Sequence, residues 1–240
     1  MRYKRIGILG GMGPKATADL YMAIVRLFQE RFGARYDADF PQMLINSVPA
    51  PDVVERLEDE ARLVAVLQQG VRTLEVAGAD FVVMACNTVH AFHAAIASVV
   101  SIPVVDLVEE TVAGVHAAGH RRVGVLGTGQ TIGRGIYRGP CERRGVELLE
   151  PGEVQQEALT ELIMDVLAGR YAPGCAARLG TLIGDLADQG AEAVILGCTE
   201  LSGVTPDLDP ASSAALVPLF DTTQILARAA VREAVGDGML

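Results

Sequence analysis

Two places in the chain set a thiol where it could do chemistry. Phe81-Val82-Val83-Met84-Ala85 is an apolar run of strand length that ends in Cys86, with Asn87, Thr88 and His90 just beyond. The construction returns as Ala193-Val194-Ile195-Leu196-Gly197 before Cys198, followed by Thr199 and Glu200. The match extends back without a gap, since Gly78-Ala79-Asp80 aligns with Gly190-Ala191-Glu192. A thiolate and a thiol can exchange protons with one carbon from opposite faces. Inverting the α-carbon of an amino acid asks for that: a base removes a very weakly acidic proton, an acid supplies another from behind, and donors spread the carbanion charge. Reversing direction only swaps the protonation states of the two cysteines. Asn87, Thr88, Thr128, Thr131 and Thr199, with the amides of Met12 and Gly13, are candidates to hold the carboxylate. One buried cysteine is ordinarily a packing residue, but two at equivalent strand ends of an internal repeat favour chemistry.

A strand that leads into a helix delivers its last residue to the carboxyl edge of an α/β sheet, where such sheets bind ligands, and beside helix N–H groups that favour a thiolate. Residues 4–9 read as a strand, and Gly10-Gly11-Met12-Gly13-Pro14 as a tight turn that Pro14 closes by opening a helix. Leu20, Ile24, Leu27 and Phe28 then recur at helical spacing up to Gly33. A strand over 40–48, a loop at Pro49-Ala50-Pro51-Asp52, a helix over 58–77, the Cys86 strand with its helix, and a strand over 102–107 complete a first round. A second round opens at Val123-Gly124-Val125-Leu126-Gly127, which repeats Ile6-Gly7-Ile8-Leu9-Gly10. It continues with a weak strand over 146–149, helices over 155–168 and 176–187, and the Cys198 strand. Ile102-Pro103-Val104-Val105-Asp106 returns as Val217-Pro218-Leu219-Phe220-Asp221. The expected fold is α/β: two pseudo-symmetric domains, each a parallel sheet flanked by helices, with the active site in the inter-domain cleft. The expected domains are 1–101 plus 214–240, carrying Cys86, and 102–213, carrying Cys198, with a crossover near Ser213 and a last helix that packs back on the first domain.

Half of the 240 residues are apolar, so a sizeable core is available. The apolar run after the basic opening is too short for a signal peptide, and no window is long enough to span a bilayer, so the chain reads as cytoplasmic with no membrane association. Four cysteines in that setting are free thiols rather than a disulfide framework. A formal net charge of −10 without a basic stretch argues against nucleic acid as a partner and leaves small molecules.

Gly11-Met12-Gly13-Pro14-Lys15-Ala16 fits the degenerate dinucleotide pattern, with Asp37 as a ribose ligand, but that reading leaves both cysteines unexplained and puts Pro14 in the phosphate turn. Pyridoxal phosphate would need a Schiff-base lysine, and the chain has Lys4 and Lys15 alone. No cofactor is expected. His90 and His93 with Cys86, and His116 with His120, match no common zinc spacing, so no metal is expected either. His93 reads as exposed. His90, one turn beyond Cys86, is either a group that donates to or polarises the thiolate or a satisfied structural histidine. Cys141 and Cys175 lie outside the repeat and are assigned no chemistry.

Gly10-Gly11-Met12-Gly13-Pro14 with Ala16-Thr17, Ala85-Cys86-Asn87-Thr88 with His90, and Leu196-Gly197-Cys198-Thr199-Glu200 resemble the three signatures of aspartate racemases, in order and over essentially the whole chain. These are cofactor-independent, two-cysteine enzymes of the aspartate/glutamate racemase superfamily. The resemblance implies two α/β domains, Cys86 and Cys198 as the acid/base pair, a small amino-acid substrate, and commonly a homodimer. It also implies that Met12, Asn87, Thr88, Thr199 and Glu200 lie around the substrate. Two positions depart from the pattern. The arginine usual after Pro-Asp is Val53 here, and a lysine frequent before Ala-Gly is Leu167. Arg56 either substitutes for that arginine or is a solvated helix residue. The loop that begins Ser47-Val48 is similar to that of broader amino-acid racemases, which adds Ser47 to the substrate contacts. The expected activity is two-base racemisation of aspartate or glutamate type or of broader specificity. The alternatives are hydantoin racemisation, maleate isomerisation, decarboxylation, or non-catalytic binding of a small ligand.

Overall fold

The structure, a computed structural model, describes residues 3–54, 57–170, 174–208 and 217–236. Its contacts divide the chain into two compact units, one holding the residues up to Val53, Leu57–Leu107 and those from Thr223 on, the other Val54 and Val108–Thr222.

In the first unit β1 (Ile6–Gly10) is fully buried because it lies between β2 (Met43–Ser47) and β3 (Phe81–Met84), both parallel to it. Strands covered on both faces must be apolar throughout, which is why β1 and β3 read as unbroken apolar runs. The register sets Gly10 opposite Ser47 and Leu9 opposite Met84, so all three strands end at one edge. After β1 the chain turns through Gly11, at φ +98°, where a Cβ would stand 2.1 Å from the Val48 carbonyl oxygen, so no larger residue fits. Helix α1 (Pro14–Phe32) starts on its proline and buries Leu20, Ile24 and Phe28, each stabilising the fold by roughly 1.5–3 kcal/mol. Gly33, in the left-handed conformation at φ 65°, ends it.

The strand expected over 40–48 is shorter. Tyr36 and Asp39 close a capping box on a 3-10 turn just before it, and Pro41 has no N–H to offer a ladder. Helix α2 (Glu60–Val76) is capped by Asp59, which accepts from the Arg62 N–H at 2.9 Å. The strand expected over 102–107 shrinks to a single parallel bridge between Val104 and Val82. There the Val82 N–H donates to Pro103 and the Val105 N–H to Val82, which ties this stretch to the first unit. The expected crossover at Ser213 lies outside the described residues. Of the last helix, α10 (Thr222–Val235), the part from Thr223 on belongs to the first unit, and the Lys4 N–H donates to the Ala234 carbonyl.

The second unit has four parallel strands in the order β5-β4-β6-β7: β4 (Arg122–Gly127), β5 (Glu147–Leu149), β6 (Ala193–Gly197) and β7 (Leu219–Asp221). Alternate residues of β6 face opposite sides. Val194 and Leu196 pack under Leu159, Leu162, Ile163 and Val166 of α7 (Glu153–Leu167) and Leu179, Leu182, Ile183 and Leu186 of α8 (Cys175–Asp188). Ala193 and Ile195 face Val112 and Val115 of α4 (Leu107–Ala117). The repeated Gly-Ala-acid run does one job in both units: Asp80 accepts from the Arg5 N–H at 2.6 Å, and Glu192 from the Arg121 N–H at 2.7 Å, just before the central strand.

Candidate active site

Each unit gathers one set of the expected residues at the carboxyl edge of its sheet. In the first unit that edge carries the 10–14 turn, Ser47 and the turn that holds Cys86. Thr17 braces the first of these, its hydroxyl accepting from the Gly11 N–H and donating to the Gly13 carbonyl, both at 3.0 Å. Met12 is buried in the unit's apolar cluster with Leu9, Val53 and Val89, and Gly13 is the N-cap of α1. Ser47, at the end of β2, is exposed.

Cys86 is 5% exposed, and Asn87 and Thr88 are more deeply buried. The helix expected behind it is a 3-10 turn over Thr88–Phe92 followed by a single α turn, α3 (His93–Ala97), because each cap bonds back within its own short segment. Segments this short carry little axial dipole. His90 Nδ1–H donates to the Cys86 carbonyl at 2.8 Å, and its Nε2 is buried without a partner. A carbonyl can only accept, so the proton sits on Nδ1. His90 therefore holds the backbone of Cys86, and neither ring nitrogen is bonded to the sulfur. Burial pushes the imidazole below its ordinary 6.5, with Asp106 pulling the other way. The ring stacks on His93, centroids 5.9 Å apart. His93, expected to be exposed, is half-buried: its Nε2–H donates to the Val104 carbonyl at 2.9 Å, and Nδ1 lies 3.8 Å from Asp106 Oδ2. Asp106 is the residue that sequence reasoning passed over. The repeat of Asp106 as Asp221 was its signal, and both carboxylates serve the turns: Asp221 Oδ1 accepts from Ser202 Oγ at 2.8 Å, beside Cys198.

In the second unit Thr128 caps α5 (Gly129–Gly133), its Oγ1 accepting from the Thr131 N–H at 3.1 Å and donating to Thr131 Oγ1. Cys198, 5% exposed, is the N-cap of the four-residue α9 (Thr199–Ser202). Its Sγ–H donates to Glu200 Oε2 at 3.0 Å, and Thr199 Oγ1 donates to the same oxygen at 3.1 Å. The register sets Gly127 opposite Gly197, so Thr128 and Cys198 follow neighbouring strand ends.

Val53 is a core residue, Leu167 ends α7 at 39% exposure, and Arg56 lies outside the described residues. Cys141, on α6 (Arg138–Arg143), is buried, and burial pushes its thiol up to about 11; Cys175 is buried and donates to the Arg170 carbonyl. His120 sets its ring edge-on to Phe220. Both lysines form surface ion pairs, Lys4 with Glu233 and Lys15 with Asp19. Among the described residues no group of three or more metal-ligating side chains converges, and no helix is long and apolar enough to cross a membrane.

Two parallel sheets, each delivering a cysteine from a strand end, define a class that comparison with known proteins identifies. The sequence matches the Asp/Glu/Hydantoin racemase family over residues 9–230, and the chain belongs to that family. It is 33% identical over 226 residues to the broad specificity amino-acid racemase RacX of Bacillus subtilis (strain 168), covering 94% of this chain and 96% of that one. A crystal structure of an aspartate racemase homologue from Pyrococcus horikoshii OT3 superposes with a TM-score of 0.80 at 26% identity, covering 97% of this chain and 100% of that one. The aspartate racemase of Picrophilus torridus shares the fold, with a TM-score of 0.82 at 24% identity over 97% and 94% of the two chains.

Proposed function

We propose that this chain is an amino-acid racemase that works without pyridoxal phosphate, with Cys86 and Cys198 as the acid and base on opposite faces of one α-carbon. The observation that carries the reading is the equivalence of the two cysteines, each at the end of a buried parallel strand beside the glycine-rich end of the central strand. In one direction the thiolate takes the α-proton, the electron pair stays on carbon, and the carbanion takes the proton of the opposite thiol. Asn87, Thr88, Thr128, Thr131 and Thr199, with the Met12–Gly13 turn and Ser47, are the groups proposed to hold the substrate. A homodimer, as the motif resemblance implies, and a cytoplasmic location belong to the same proposal.

Substrate preference follows from what is missing. A buried side-chain carboxylate normally demands a bidentate arginine, and leaving it without one costs several kcal/mol. Val53 and Leu167 supply no such charge, and the relative with 33% identity is of broad specificity. We therefore propose a broad range that includes neutral side chains. Incubating L- and D-forms of aspartate, glutamate, alanine, serine and methionine in deuterated water, and following inversion together with α-deuterium uptake, tests both points. Inversion of several neutral amino acids is expected. Turnover confined to aspartate would overturn the specificity, and no exchange on any amino acid would shift the reading to hydantoin, maleate or decarboxylation chemistry, or to binding alone.

A further inference from the structure

On the reading that the two cysteines are an acid/base pair, we propose that Glu200 acts through Cys198 rather than on the substrate. Its carboxylate keeps Cys198 a neutral thiol in the resting enzyme, so that Cys198 starts a turnover as the acid and Cys86 as the base.

The geometry brings two donors to one acceptor. Glu200 Oε2 accepts from both Cys198 Sγ and Thr199 Oγ1, at 3.0 and 3.1 Å, which occupies both lone pairs of that oxygen. A carboxylate oxygen accepts both of these bonds, and the sulfur that donates to it is a thiol. The group is 8% exposed, and Cys198 shares its surroundings with Leu196, Leu201 and Val204, so little water screens the pair. Deprotonating Cys198 here would set two negative charges 3.0 Å apart, which disfavours the thiolate. The four-residue α9 is too short to compensate with its dipole.

Among the described residues, the ionisable groups of α7 and β7 beside α9 are bonded elsewhere or face solvent. Asp221 accepts from Ser202, Asp165 on α7 is held by Arg170 and Arg178, and Glu153, Glu157 and Glu161 on α7 are exposed. Cys175 of α8, in the same apolar cluster, donates to the Arg170 carbonyl. The turn after Cys86, reading Asn87-Thr88-Val89-His90, has no carboxylate of its own.

In the forward step the Cys86 thiolate takes the α-proton, and the Cys198 thiol gives its proton to the carbanion and keeps the bonding pair as a thiolate. Product leaves with Cys86 protonated. The Cys198 thiolate beside Glu200 is then the higher-energy free form. It returns to rest by taking a proton from water while Cys86 releases its own.

The test is a thiol titration, which needs no substrate and so stands apart from whether racemisation is seen. In the Cys86→Ser protein, the thiolate ultraviolet absorbance of Cys198 is followed against pH, with the Cys86→Ser/Cys198→Ser double variant as baseline. The midpoint should lie above the free-thiol value of about 8.5. Adding Glu200→Gln should lower it by at least about one pH unit, a tenfold rise in thiolate at a given pH, as should Glu200→Ala. A midpoint at or below the free value, or no shift on removing the carboxylate, overturns the proposal. A rise on removing it also does, because Glu200 would then be an acid donating to a resting thiolate. If both Glu200 variants fail to fold by circular dichroism, the midpoint of the Cys86→Ser protein decides.

Discussion

The turns that follow β3 and β6 occupy equivalent places in the repeat yet are held in different ways. His90 secures the first through the carbonyl of Cys86 and leaves the sulfur alone, whereas Glu200 secures the second through the sulfur of Cys198. A carbonyl contact fixes where a side chain starts from but says little about its charge. A carboxylate on the sulfur acts on its charge as well. The repeat thus places two similar thiols, and two dissimilar neighbours give them different resting roles. The loops after the central strands differ in the same spirit. After β1 the turn passes through a positive-φ glycine close against Val48 and opens a 19-residue helix, while after β4 a threonine caps a five-residue one.

The largest effect should come from the cysteines themselves. Cys86→Ser and Cys198→Ser should each cut inversion by about 10²–10⁴-fold, since serine is far too weak an acid or base to replace a thiol. Chiral chromatography of the product reads this directly. If either variant keeps most of its activity, the equivalence of the two turns is broken and the two-base mechanism with it.

The glycine loops should separate next. Gly11→Ala meets both a positive φ and the Val48 carbonyl, and should cost on the order of 3 kcal/mol or more. At Gly129, on the other loop, an added Cβ has nothing within 4 Å, and alanine there should shift stability by no more than about 1 kcal/mol. Urea denaturation of both variants makes the comparison, and equal costs would mean that the loops are not built differently.

His90 should show the smallest and most pH-bound effect. Its folded pKa lies below the ordinary 6.5 because it is buried, so at neutral pH both states are uncharged and the group contributes no penalty. As pH falls below 6.5 the unfolded chain takes up a proton that the folded one resists. Stability should then drop by up to about 1.4 kcal/mol per pH unit. Melting temperatures between neutral and mildly acid pH should show this decline, and His90→Gln should flatten it. An unchanged slope in the variant would place the acid sensitivity elsewhere, with His93 and Asp106 the nearest alternatives.

What the sequence determined by itself was everything carried by period, repeat and residue type. Unbroken apolar runs marked the buried parallel strands, the Gly10–Pro14 turn marked a strand-to-helix junction, and the return of one pattern after 86 and 198 singled out the two thiols. Boundaries were less legible where the chain itself competes. Pro41 and the 3-10 turn before it trimmed β2, and 102–107 has the composition of a strand but finds one bridge to pair with. Contacts between side chains distant in sequence, or aimed by one torsion, were left to the tertiary structure. Nothing in the spacing of His90 says whether its ring reaches the sulfur or the carbonyl of Cys86. That Asp106 would lie beside His93 depended on the bridge at Val104. That Glu200 would turn back onto Cys198 depended on Cys198 being the N-cap of α9, whose first turn holds Glu200 beside the strand end. Residue type tells which groups can exchange a proton, but only packing sets the angstrom-scale distances that decide which group holds it.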